Sequence, residues 1–323
     1  LAAVALAASP SAFGLGRAHA AEQRVLRIGS GGLGGTYHPI ATIIGHGITG
    51  VGCAPGAACG MPDVVAVAQV SNGSVANVEG LAARRIELGL VQGNVADEAF
   101  RGTGAFERRA VPELRAVAAL FVEALHVVVR AGAGMSSFRD LKGRRVSLDE
   151  PGSGTLQDAR AALAAHGMGE GDVAAEYMKP VLSLDHIARG RIDAFFITAG
   201  APVPAIAASD LPLALVPLDE AAISALVSSS PHYAATEIEA GTYRDVGATR
   251  TVGTAALLVA PAWMDEELVH GVTQALWSER TRSLLSTGHA RGRDVRLERA
   301  LDAVPIPLHP GAERFYREAG LLP

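Results

Sequence analysis

Five short stretches of Gly, Ser, Thr and Asn carry most of the binding chemistry that this sequence offers. They are SGGLGGTYHP (Ser30–Pro39), SNGS (Ser71–Ser74), QGN (Gln92–Asn94), PGSGT (Pro151–Thr155) and TAGAP (Thr198–Pro202). Each follows a run that reads as a strand and opens one that reads as a helix. A helix start presents unpaired N–H groups and the positive end of the helix dipole, which suits a carboxylate or phosphate. None of the five contains Lys or Arg, so an anion there would be held by backbone amides and hydroxyls and not by a guanidinium fork. Taken singly, Ser74, Thr155 and Pro202 also read as ordinary helix starts. Taken together, the five predict a cleft.

Motifs for catalysis are weaker. Gly29-Ser30-Gly31-Gly32-Leu33-Gly34 matches G-x-G-x-x-G, but a dinucleotide site also needs an acidic residue about 20 positions on, at the end of the next strand. Here that strand ends in Gln69-Val70-Ser71. PGSGT lacks the G-x-S-x-G spacing of a nucleophile elbow, which makes Ser153 a binding hydroxyl. His38 and His46 could share a helix face, yet no Cys or carboxylate cluster accompanies them as zinc ligands would require. His126, on a β-branched strand, reads as structural. No acid–base pair stands out, and neither a metal nor a cofactor is expected.

The loops need strands to hold them. Strand-like runs occur at Val25–Gly29, Val64–Val70, Leu88–Gln92, Leu114–Phe121, Ala124–Arg130, Arg144–Leu148, Ala194–Thr198, Leu213–Leu218 and Thr254–Ala260. Helical stretches lie between them, which predicts a parallel, helix-covered α/β sheet. The chain has 323 residues, 49% of them hydrophobic, which is enough for about two domains with buried cores. A net charge of −5 argues against a nucleic-acid binder. No run reaches the ~20 apolar residues of a spanning helix. Residues 1–20, an apolar stretch ending in Ala18-His19-Ala20, match the end of a secretory signal, so export is expected. In an oxidising compartment Cys53 and Cys59 could close a local disulfide; the alternative is two free thiols in a Gly/Pro/Ala-rich loop.

Several longer segments together resemble the TAXI subgroup of TRAP-transporter solute receptors. They are IGSGGLGGTYHPIA, QVSNGSVANVEGL, LGLVQGNVADEAFRG, LRAVAALFVEALHVVVR, SFRDLKGRRVSLDEPGSGT, GRIDAFFITAGAPVPAI, PHYAATEIEAGTY and IPLHPGAERFYREAG. The resemblance implies a type II periplasmic-binding-protein fold, two α/β domains joined by hinge strands at Ala124–Arg130 and Thr251–Pro261. Domain I would comprise residues 21–125 plus 254–323, and domain II residues 126–253. It implies a periplasmic, monomeric receptor that binds a small organic acid or amino acid, glutamate or glutamine among them, and hands it to a TRAP-type membrane permease. Carried onto this sequence, Gly31, Gly32, Gly34, Thr36, Tyr37, Asn72, Gly73, Ser74, Gln92 and Asn94 would line the cleft from domain I. Ser153, Gly154, Thr155, Thr198, Ala199 and Gly200 would close it from domain II. Tyr37 would either touch ligand or pack at its helix start. Glu150, where the family pattern has small neutral residues, would either meet a ligand ammonium or be a solvated loop charge. The other readings of the scaffold are an α/β enzyme acting on a small carboxylate and a sensor-type ligand-binding domain.

Overall fold

The computed structural model describes residues 23–50 and 60–323; Cys53, Cys59 and the expected signal segment lie outside the described residues. The first half of the chain alternates in register with its loops. β1 (Arg24–Gly29) leads into α1 (Tyr37–Thr49), β2 (Val64–Gln69) into α2 (Ser74–Ala82), and β3 (Leu88–Gln92) into α3 (Gly93–Arg101). A single long strand, β4 (Leu114–Arg130), then carries the chain into the second half. There β5 (Arg145–Ser147), α4 (Gly154–Ala165), β6 (Ala174–Glu176), α5 (Pro180–Ala188) and β7 (Ala194–Ala199) repeat the alternation. After α6 (Pro204–Ala207), β8 (Leu213–Leu215), α7 (Glu220–Ser229) and β9 (Ala234–Ile238), the strand β10 (Thr249–Pro261) returns the chain to the first half. Helices α8 (Glu266–Trp277), α9 (Glu279–Gly288) and α10 (Pro310–Glu318) complete it. Among the described residues no helix is long and apolar enough to cross a membrane.

The strand order is β2-β1-β3-β10-β4-β7-β5-β6, with β8 on β4 and β9 on β10. Strands β1, β2 and β3 pair in parallel, as do β5, β6 and β7. The two long strands are antiparallel to one another and to β3 and β7, so the sheet is mixed where the alternation of strands and helices predicts an all-parallel one. Leu114–Phe121 and Ala124–Arg130, which read as two strands, are one. It pairs with β10 as far as Ala124 and with β7 from Ala124 onward. The joint between the halves is thus a change of partner along continuous strands, not a loop.

Alternation along the strands fills a layer on each face. In β3, Leu88 and Leu90 pack with Ile28, Ile40, Ile44, Leu276 and Tyr316, while Val91 faces Val78, Val95 and Phe106. In β7, Phe196 joins Phe138, Leu156 and Leu163, whereas Phe195 and Ile197 join Ile187 and Val203. Period-two side chains on a sheet buried on both sides give near-continuous apolar strands. That is why these segments are legible as strands at all.

Candidate functional site

The carboxyl ends of β1, β2 and β3 in one half face those of β5, β6 and β7 in the other, and the five loops meet there. They enclose a cavity of about 300 Å³ between the halves. From the first half, Gly31 to Tyr37, Val70, Asn72, Gly73, Ser74, Gln92 and Glu123 line it. From the second come Asp149, Glu150, Ser153, Gly154, Thr155, Lys179, Pro180, Val181 and Ile197 to Ala199. Helices α1 and α2 begin at this cavity without a side-chain cap, so their first-turn N–H groups are not consumed by their own sequence. Helix α4 is capped by Ser153, whose Oγ accepts the Leu156 N–H at 3.0 Å. Thr36 occupies the cap position of α1, but its hydroxyl donates across the cavity to the Gly200 carbonyl at 2.8 Å.

That bond is one of several that tie the two walls. Asn72 Nδ2 donates to the Pro151 carbonyl at 2.9 Å, the Ala76 N–H to Gly152 O at 2.9 Å, and the Ala205 N–H to Gly34 O at 3.1 Å. Deeper in, Asp158 of α4 accepts from Gln92 Nε2 at 3.1 Å, Asn94 Nδ2 at 2.8 Å and the Tyr233 hydroxyl at 2.6 Å. Backbone approach demands small residues at two of these contacts. A Cβ at Gly34 would run into the Val181 side chain, and one at Gly154 into Gln92 Oε1. The two halves are in direct contact across the cavity.

Fourteen of the sixteen residues expected to bind line the cavity; Asn94 and Gly200 do not. Asn94 lies at the start of α3 behind the wall, its amide donating to Asp158 and to the Tyr233 hydroxyl. Gly200 packs against Phe121 and Arg291, and its contribution is the carbonyl that receives Thr36. Glu150 lines the cavity and pairs with Lys179 at 3.2 Å, a lysine that reaches the wall from outside the five loops, at the start of α5. His38 Nδ1 lies 3.0 Å from Ser30 Oγ and pins the first glycine loop from behind.

Two buried acidic groups shape the electrostatics. Glu123, on β4, is 2% exposed and accepts the Tyr37 hydroxyl on Oε2 at 2.6 Å. Burial holds its carboxyl well above the usual carboxylate range, and the Tyr37 bond offsets only part of that rise. Burial likewise pushes Asp149 up to about 7, against the backbone hydrogen bond from Glu150 that favours its charged form. Asp149 sits at φ 72°, a left-handed conformation that Asp and Asn tolerate better than most residues. Sequence patterns passed over Glu123 and Lys179, and marked Asp149 only as part of Leu148-Asp149-Glu150, where small neutral residues are expected. Glu123 did carry a signal, as a lone carboxylate inside the apolar run LRAVAALFVEALHVVVR. Lys179 had none, because the strand before its helix is only three residues, Ala174–Glu176.

Two α/β halves joined by two continuous strands, with helix starts from both around a cavity between them, define the type II periplasmic-binding-protein fold. PhnD1 from Prochlorococcus marinus (MIT 9301), solved in complex with methylphosphonate, shares it with a TM-score of 0.56 at 11% identity, over 93% of this chain and 100% of that one. The alkanesulfonate-binding protein SsuA from Xanthomonas axonopodis pv. citri, bound to MOPS, aligns with a TM-score of 0.44 at 17% identity, over 94% and 96% of the two chains. The model of the NMT1-like family matches residues 28–320, and the chain belongs to that family.

Proposed function

We propose that this protein is an exported solute receptor that binds a small organic acid or amino acid, glutamate- or glutamine-like, between its domains and delivers it to a TRAP-type membrane permease. Residues 21–125 with 254–323 act as one body and residues 126–253 as the other, and the change of strand partner near Ala124 and Gly253 is where they flex. The observation that carries this reading is the cavity itself. Its walls come from opposite halves of the fold, its volume of about 300 Å³ is at the small end of ligand sites, and uncapped helix starts border it. Cross-cavity hydrogen bonds from Thr36 and Asn72 give closure a direct energetic reward. A ligand that touches both walls favours the closed state by the contacts it makes only there. Gly31, Gly32, Gly34, Gly73 and Gly154 bring backbone to the ligand; Thr36, Ser74, Ser153, Thr155 and Thr198 supply hydroxyls.

The test is a thermal-shift screen of ligand-free protein over amino acids, mono- and dicarboxylates. A ligand that binds only the folded state adds about 2.7 kcal/mol at a hundredfold excess over its Kd, which for a chain of this size is a rise of several degrees in Tm. Such a rise with one narrow group of compounds, and no change in those compounds on prolonged incubation, is the expected result. Turnover of the compound would replace the receptor by the enzyme reading.

A further inference from the structure

We infer that the cavity takes a ligand bearing an ammonium group, and that Glu123 is the counter-ion of that group. The inference rests on the receptor reading and narrows its ligand class from small organic acids in general to zwitterionic amino acids.

Glu123 projects from the middle of β4, just short of the point at which that strand leaves β10 for β7. Among the described residues a single group bonds it, the Tyr37 hydroxyl on Oε2. No Lys, Arg or His among the described residues pairs with it. A carboxyl buried this deeply without a cation is costly, and the cavity it bounds is the natural place for the missing partner. Among the described residues Lys179 is the one basic side chain on the cavity wall, and it is engaged by Glu150. The wall therefore carries Glu123, Asp149 and Glu150 against one lysine. A second ligand carboxylate would find no free cation on this side of the cavity, because Lys179 is already engaged.

A second buried group asks for the same thing. Gln92 is 2% exposed and lines the cavity. Its Nε2 is committed to Asp158, which fixes the amide orientation, and its Oε1 has no donor. An acceptor left so is a cost to the fold, and a ligand rich in N–H groups supplies what it lacks. The uncapped starts of α1 and α2 border the same cavity and favour the ligand carboxylate. Together with Glu123 they offer a partner for each charge of one amino acid. Burial keeps the unpaired Glu123 carboxyl well above its ordinary range; an ammonium beside it reverses that shift by favouring the ionised form.

The experiment uses the protein unfolded and refolded to strip any copurified ligand, titrated calorimetrically with the twenty L-amino acids. Each binder is then compared with the carboxylic acid of the same skeleton lacking the amino group, and methylphosphonate and ethanesulfonate serve as amine-free anions. The expected result is an amino acid that binds at least about tenfold more tightly than its des-amino partner. Glu123→Gln, close in shape and still able to accept from Tyr37, is expected to weaken the amino acid at least about tenfold and the des-amino acid little. Its unliganded melting temperature and circular dichroism report that it is folded. Equal binding of the two acids, tighter binding of any amine-free anion, or an unchanged preference in Glu123→Gln would overturn the ammonium site and leave the receptor standing. Binding of nothing in the panel would overturn both.

Discussion

His126 shows how much a single buried side chain can fix. Its Nδ1 lies 2.8 Å from the Ala124 carbonyl and its Nε2 2.9 Å from the Tyr243 hydroxyl. A carbonyl can only accept, so Nδ1 carries the proton and Nε2 accepts from Tyr243, whose oxygen in turn receives the Val203 N–H at 2.8 Å. The chain of bonds is complete only for the neutral ring. Burial lowers the pKa from 6.5 to about 4, with the Arg291 charge adding to the effect. In the unfolded chain the ring takes a proton near its ordinary value, and in the folded chain it does not. Stability from this residue is therefore constant above pH 6.5 and falls as pH drops from there towards 4, by about 3 kcal/mol in all. His126→Gln should flatten the decline of Tm between pH 6.5 and 4 relative to the native protein; parallel curves would show that another group sets the acid limit. The strand setting of His126 made its structural role legible from the sequence. Its partner Tyr243, 117 residues away, was not, because nothing local ties the two.

At the scale of elements, the strand–loop–helix units were readable because their strands are buried on both faces and their loops are punctuated by glycine. Strands β6 and β9 were missed: the first is three residues, the second is mostly exposed, and neither shows an apolar run. The reading of β4 as two strands broke at Val122 and Glu123, where the exposure of one and the charge of the other interrupt the pattern. Pairing direction was illegible too, since a strand that crosses between halves looks locally like any other. The loops, by contrast, make a prediction that needs only their geometry. Gly34 has no left-handed torsion, so a side chain there costs nothing in backbone strain; its obstacle is Val181 and Ala205 on the opposing half. Gly34→Val should therefore act as a wedge. Ligand affinity should fall at least about tenfold, while the melting temperature of the unliganded protein stays within a few degrees. Equal losses in both would place the contact inside one rigid body and remove Gly34 from the closing surface.

Across the whole molecule, closure concentrates on one carboxylate. Asp158 belongs to the second half, yet two of its three donors, Gln92 and Asn94, belong to the first. The third, Tyr233, also receives a hydrogen bond from Asn94 at 3.1 Å. When the halves are together Asp158 is 2% exposed, and burial raises its pKa while the donors from Tyr233, Asn94 and Gln92 oppose the rise. In an opened molecule water can serve all of these groups. On the proposed movement of two bodies, the network weighs on the balance between open and closed forms far more than on folding. Replacing Asp158 by Leu leaves Gln92 Nε2, Asn94 Nδ2 and the Tyr233 hydroxyl without their acceptor only in the closed form, at about 1–3 kcal/mol for each group stranded. A shift of that size moves a two-state equilibrium by one to two orders of magnitude. Solution scattering of Asp158→Leu should give a larger radius of gyration than the native protein under identical ligand-free conditions. Ligand affinity should drop by the same factor as the closed population, because only that population binds. The unfolding midpoint in denaturant should change little. A variant that scatters like the native protein but unfolds at much lower denaturant would mean that Asp158 stabilises the fold and does not latch the halves. The sequence could announce the glycine loops that meet in the cleft, each a local motif. It could not announce this latch, whose members lie 64 and 66 residues apart and come together only when both halves are folded and closed.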